Sequence, residues 1–256
     1  MNYFGAVSTD IGIVKQTNQD SACLKIAEFD GKGQAAMMVI CDGMGGLAKG
    51  ELASATVIKR CAQWFEKELP QKINDYSWEK LSEEWKRMIK EQNQKILEYG
   101  KTIGVNLGTT LSAFIVIENN YMIVQVGDSR VYEISDTVSQ LTEDQTFIRR
   151  EINAGRMTPE EAAVHPKRNM LLQCVGASRD VEPVITFGAV VPNTVYMACS
   201  DGFRHVLQDN EILDKFNPLN LNSIETMKQN GDYLIDVVKK RNERDNITVA
   251  LLKSIM

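Results

Sequence analysis

Short apolar runs that stop at polar turns open the chain. Tyr3 to Ser8, Ser21 to Ile26 and Ala35 to Cys41 have the length and apolar content of strands, and each gives way within a few residues to Asp. A different period follows. From Glu51 to Leu69 the apolar residues Leu52, Ala55, Ile58, Ala62, Phe65 and Leu69 recur at helical spacing, and from Trp78 to Tyr99 so do Trp78, Leu81, Trp85, Met88, Ile89 and Ile96. The Trp and Met stripe is read as core packing against a sheet, not as a ligand box. Strands resume at Thr109 to Ile117, Tyr121 to Val126 and Arg130 to Ile134, with Asn119-Asn120 as the turn between the first two.

The middle of the chain is polar and rich in arginine. Thr158-Pro159-Glu160-Glu161 supplies an N-cap, a proline at the first helical position and a glutamate at the third, which predicts a short helix. Asn153 to Asn169 is therefore expected to be a surface excursion with its own turn of helix, within a flap at about 145–170. Val181 to Val191 and Val195 to Cys199 read as strands, then Asn210 to Phe216, Ser223 to Gln229 and Tyr233 to Arg241 as helices, with a last strand at Ile247 to Leu252. These elements do not alternate as parallel βαβ units would. The order predicts an α+β sandwich of mainly antiparallel sheets, with residues 1–256 as one domain.

Composition narrows the function. A chain of 256 residues with 43% hydrophobic content can bury a substantial core. No stretch approaches the roughly 20 apolar residues of a membrane span, and the start lacks a basic-then-apolar leader. The five cysteines are scattered through apolar runs with no CxxC pair, as in a reduced cytoplasmic protein. Two histidines, His165 and His205, are too few for a His-rich metal site, and a net charge of −5 argues against nucleic-acid binding.

The chemistry lies in four aspartates, Asp20, Asp42, Asp201 and Asp245, each at the edge of an apolar run in a turn marked by Gly or Asn. An apolar run followed by Asp-Gly reads as a buried strand that presents a carboxylate at the sheet rim. Carboxylates gathered at one rim repel by several kcal/mol unless cations lie between them, and hard divalent ions such as Mg²⁺ or Mn²⁺ suit oxygen ligands. A single Asp-Gly is most often only a turn. Gly45-Gly46 lacks a following GK[ST] and is read as a turn, not a phosphate loop. Ser129 has no accompanying histidine base, which argues against a serine hydrolase.

Taken in order, the motifs resemble those of the metal-dependent serine/threonine protein phosphatases of the 2C type, in their bacterial form. The resemblance runs almost end to end: Ser8-Thr9-Asp10-Ile11-Gly12 to Asp20, Val39-Ile40-Cys41-Asp42-Gly43-Met44-Gly45-Gly46, Gly108-Thr109-Thr110, and Val126-Gly127-Asp128-Ser129-Arg130. Gly155 to Ala162 with His165 to Asn169 is similar to the bacterial flap, and Ser200-Asp201-Gly202 and Arg244-Asp245-Asn246-Ile247-Thr248 complete the set. The resemblance implies two packed antiparallel sheets flanked by helices (an α-β-β-α sandwich), with two Mn²⁺ or Mg²⁺ ions and a weaker third at one end.

The resemblance also implies roles. Asp42 would bridge two metals, Gly43 would add its carbonyl to one of them, Asp201 and Asp245 would complete the shell of the second metal, and Asp20 would help hold the site, partly through water. Asp128 with Asp201 would hold the third ion; Arg156, His165 and Arg168 are candidate flap contacts to substrate. A metal-bridging hydroxide would then attack phosphoserine or phosphothreonine on a protein, in a monomer that opposes a bacterial Ser/Thr kinase.

Departures are as informative. Lys15 stands where most members have a phosphate-clamping arginine, and Gln19 where they have Glu. Leu47 and Gln145 replace histidines common in bacterial members, and Met44 stands where animal members have their proposed general acid. Lysine supplies charge without the two-pronged fork, so looser phosphate binding is expected. Two alternatives follow: a pseudophosphatase that binds phosphoproteins without turnover, and a metal phosphoesterase acting on small molecules.

Overall fold

The computed structural model describes residues 1–44 and 49–255, so Gly45, Gly46 and Leu47 lie outside the described residues. Strands β1 (Asn2–Asp10), β2 (Ser21–Phe29) and β3 (Gly33–Cys41) come first, then helix α1 (Gly50–Gln63), a π-helical turn at Trp64–Glu68, α2 (Leu69–Lys72) and α3 (Trp78–Ile103). Strands β4 (Leu111–Ile117), β5 (Asn120–Val126), β6 (Arg130–Ile134) and β7 (Val138–Gln140) lead to helices α4 (Phe147–Asn153) and α5 (Pro159–Val164). After β8 (Val184–Ala189) and β9 (Val195–Cys199) come α6 (Asp201–Arg204), α7 (Asp209–Phe216), α8 (Ile224–Lys240) and the closing strand β10 (Ile247–Ile255).

Two five-stranded sheets form, ordered β1-β10-β9-β6-β7 and β2-β3-β4-β5-β8, and every pairing is antiparallel. Alternation along the central strands decides the layers. On β3, Ala36, Met38 and Ile40 meet Phe114, Tyr196, Ala250 and Leu252 between the sheets. The intervening Ala35, Met37, Val39 and Cys41 pack under Trp64, Trp85 and Ile89 of the helical layer. A strand covered on both faces reads as a continuous apolar run, which is why β3 and β4 carry so little polarity. On the other side, α7 and α8 cover Met197, Val249 and Leu251. The result is an α-β-β-α sandwich.

Several boundaries differ from expectation for local reasons. The expected helix Glu51 to Leu69 continues to Lys72 but widens into a π turn just before Pro70, whose ring has no N–H and would collide with the carbonyl four residues back. The two helices expected at 223–229 and 233–241 are one, α8, because Gly231 serves close packing: a Cβ there would stand 2.7 Å from Ser8 Oγ on β1. The hairpin turn is Glu118-Asn119, with φ 58° at Glu118, one residue earlier than expected. The expected strand Val181 to Val191 shortens to β8, as Pro183 has no N–H for the ladder. The sequence reading missed β7, α4 and α6.

Candidate metal centre and substrate cavity

Register alone brings the aspartates together. Ser21 pairs with Cys41 across β2 and β3, so Asp20 and Asp42 are side by side where those strands meet the sheet's end. Leu111 pairs with Val126 at that same end, so Asp128, in the turn from β5 to β6, emerges beside them. In the facing sheet Cys199 pairs with both Val249 and Arg130, which puts Asp201 at the start of α6 and Asp245 just before β10 at that end too. Each carboxylate sits just beyond a strand end on this rim.

Neighbouring polar groups hold these turns. Asp42 N donates to Thr110 Oγ1 at 3.0 Å, while Asp42 O accepts from Thr110 N and from Thr109 Oγ1, both at 2.9 Å. Thr110 and Ser129 share a hydroxyl contact of 2.6 Å, so Ser129 is buried structural support with no histidine beside it. Ser200 Oγ donates to Asp20 Oδ2 at 2.8 Å. Gly202 has to be glycine here: a Cβ would fall 2.2 Å from Asn246 O, the approach that brings Asp201 and Asp245 together. Asn246 then ties down the loop before β2, donating from Nδ2 to Ile11 O at 2.9 Å and Thr17 O at 3.2 Å and accepting from Gln19 N at 2.9 Å. The Gln19 amide itself donates to Glu51 of α1 at 3.4 Å.

The electrostatics call for cations. Burial first, then the charges of Asp20, Asp201, Asp128 and Asp245, push the Asp42 carboxyl well above the carboxylate range. Asp20 rises to about 7, mainly by burial and despite hydrogen bonds from Thr248 and Ser200. Asp128 rises to about 6 by burial and the nearby Asp201, with Arg204 opposing. Among the described residues, Asp20 Oδ1 and Asp201 Oδ1 are buried oxygens without any hydrogen-bond partner. Also among the described residues, no three His, Cys, Asp or Glu side chains are drawn together closely enough to hold an ion by themselves. Small hard ions keep several waters and take few carboxylates each. Orphaned carboxylate oxygens in an open, oxygen-only donor set therefore fit Mg²⁺ or Mn²⁺.

Two adjoining cavities lead to this ring. The smaller, about 310 Å³, is lined by Asp42, Asp128, Asp201, Asp245, Lys15 and Met44 among others. The larger, about 630 Å³, shares Lys15, Asp128, Asn169, Asp201 and Asp245 and opens toward the flap. Lys15 Nζ is 2.7 Å from Asp245 Oδ1. Met44 presents no ionisable group at its wall.

The flap residues divide. Arg168 lines the larger cavity. Arg156 does not; it pairs with Glu151 of α4 at 2.7 Å on the exposed surface. His165 caps α5, stacks on Phe147 with ring centroids 5.4 Å apart and accepts from Lys167 N, away from the cavity lining. Gln145 anchors the flap root: its Oε1 accepts from Gly127 N at 2.9 Å, beside Asp128.

Two residues to which the sequence reading gave no role, His205 and Arg204, belong to the site. His205 lines the larger cavity between Asp201 (3.6 Å) and Glu243 (3.4 Å). Arg204 spans Asp128 (3.7 Å) and Asp144 (3.8 Å), and Asp144 is held in turn by both prongs of Arg130 at 2.7 and 2.6 Å. Position beside the Asp201 motif was the only available signal.

A model of protein phosphatase 2C matches residues 13–231. The chain belongs to the protein phosphatase 2C family. The match includes Lys15, Asp20, Asp42, Asp128 and Asp201, while Asp245 lies beyond it. The chain is similar to serine/threonine phosphatase stp of Listeria innocua, 30% identical over 251 residues that cover 96% of this chain and 93% of that one. The S. agalactiae serine/threonine phosphatase structure matches with a TM-score of 0.83 and 27% identity over the whole of both chains. The catalytic domain of serine threonine protein phosphatase PstP, in complex with two manganese ions, matches with a TM-score of 0.77 and 28% identity over 99% of each chain. The 2C-type fold is the α-β-β-α sandwich described above, and phosphatases of this family are metal-dependent hydrolases. Among the described residues, no helix is long and apolar enough to cross a membrane.

Proposed function

We propose that this 2C-type phosphatase hydrolyses phosphoserine and phosphothreonine on proteins, opposes a bacterial Ser/Thr kinase in the cytoplasm, and uses Mn²⁺ or Mg²⁺. The observation that carries the reading is the pair of orphaned buried oxygens, Asp20 Oδ1 and Asp201 Oδ1, beside a cavity lined by Asp42, Asp128, Asp201 and Asp245. In this reading Asp42 and the Gly43 carbonyl hold the core ions with Asp201 and Asp245, Asp20 supports them, and Asp128 with Asp201 holds a weaker third. When bound, such ions supply an activated water near neutral pH and positive charge for the phosphoryl oxygens.

The chain's own groups do the remaining work. Lys15 lies at the wall shared by both cavities and supplies a point charge to the substrate phosphate. Asn246 keeps that lysine's loop against the Asp245 turn. Met44 has no proton to give, so the leaving alkoxide takes its proton from solvent. The larger cavity, about 630 Å³, adjoins the aspartates and leaves room beside them for residues that flank a phosphoresidue.

The test is phosphate release from a phosphothreonine peptide with Mn²⁺ and with EDTA. Turnover that EDTA abolishes is expected. Well-folded protein that binds the peptide but releases no phosphate at millimolar Mn²⁺ would replace the enzyme with a binding module.

A further inference from the structure

Five lysine and arginine side chains line the larger cavity, and three of them are engaged. Lys15 pairs with Asp245, Arg130 with Asp144, and Arg204 with Asp128 and Asp144. Arg168 and Arg244 differ. Both are exposed, and among the described residues neither guanidinium pairs with a carboxylate or enters a side-chain hydrogen bond. Both line only the larger cavity, not the smaller one that contains Asp42, so they stand back from the reacting phosphate.

Their backbones are nevertheless fixed. Arg168 N donates to His165 O at 3.0 Å, in a flap whose root is closed by Phe147 N to Met170 O and Leu172 N to Gln145 O, each at 2.8 Å. Arg244 N donates to Glu243 Oε1 at 2.7 Å, and Asp245 N reaches the same oxygen at 3.1 Å. One arginine comes from the flap and the other from the turn before β10, so they approach the cavity from two segments. An uncommitted guanidinium on a fixed backbone is a receptor for a planar or tetrahedral oxyanion.

We propose that Arg168 and Arg244 form an anion subsite at the cavity mouth that binds a second acidic group of the protein substrate, a phosphate or a carboxylate, beside the phosphoresidue being hydrolysed. The inference rests on the phosphatase reading and adds a substrate class to it: phosphoserine or phosphothreonine flanked by acidic side chains or by a second phosphate.

The test uses three phosphothreonine peptides of one core sequence, with neutral flanks, glutamate flanks or a second phosphothreonine. The Mn²⁺-loaded chain and an Arg168→Gln/Arg244→Gln double variant are compared for kcat/KM and, in parallel, for affinity by fluorescence polarisation. The unmodified chain is expected to favour the acidic peptides by roughly three- to tenfold, the scale of two partly exposed charge contacts. The preference should appear in KM, shrink with added salt, and fall toward one in the double variant. The glutamate and second-phosphate arms separate the two sources of the anion. Equal values for neutral and acidic peptides, or a preference that survives in the double variant, would overturn the subsite. If no peptide is hydrolysed while an arginine-dependent acidic preference persists in binding, the phosphatase reading falls and the subsite stands. Both positions are exposed, and matched melting curves check that the variant is folded.

Discussion

Lys15 reaches Asp245 from a loop that Asn246 pins at two carbonyls, so its ammonium is set at the wall of the cavity by backbone that does not belong to its own strand. An ammonium there contributes charge but cannot grip two phosphate oxygens at once. Lys15→Arg is therefore predicted to lower KM for a phosphopeptide several-fold with kcat little changed, measured by steady-state phosphate release. A KM that stays the same or rises, with the fold intact, would remove Lys15 from the phosphate site. At this scale Asp42 and Asp201 stand out because each ends an apolar run at Asp-Gly, a signal that alone most often marks only a turn and that the order of several motifs singles out. Arg204 and the ties that Asn246 makes were not legible: their partners lie far along the chain, as with Asn246 and Gln19 or Arg204 and Asp128, and only strand register makes them neighbours.

At the level of elements, α8 shows where local reasoning misleads. A glycine inside a helical pattern usually weakens the helix by about 1 kcal/mol relative to alanine, and Asn230-Gly231-Asp232 reads as a break. In the fold, Gly231 is buried against Ser8, and the helix runs through it because removing the side chain lets α8 close on β1. Gly231→Val is predicted to destabilise the protein by about 1–3 kcal/mol, as overpacking does, read from urea unfolding midpoints. A neutral or stabilising effect would mean that the contact between α8 and β1 is slack. Most elements were legible, among them β3, β4, α3 and the capping box of α5, since hydrophobic period and cap chemistry are written locally. The short β7 was not, because it answers to β6 beside it in space.

For the whole molecule, the aspartate ring ties stability to pH and metal. Without metal, the folded chain keeps a proton on Asp20 up to about pH 7 and on Asp128 up to about pH 6. The unfolded chain releases both near pH 4, as ordinary aspartates do. Between those values the folded state binds more protons, so stability is predicted to fall as pH rises from about 4 through about 7, with the raised Asp42 carboxyl acting in the same direction. Thermal melts in EDTA are predicted to follow that decline. Saturating Mn²⁺ at pH 7.5 should raise the midpoint, since a ligand at 100 times its Kd stabilises by about 2.7 kcal/mol. A metal-free midpoint that climbs over this window would contradict the crowding of carboxylates.

The sharpest question put to that ring is how it binds Mn²⁺, read by calorimetric titration of EDTA-stripped protein beside an Asp42→Asn variant. At least two ions should bind the unmodified chain, and the variant should lose affinity by roughly tenfold or more. Equal isotherms for the two folded proteins would mean that Asp42 does not hold metal and that the aspartates meet at this rim for some other purpose.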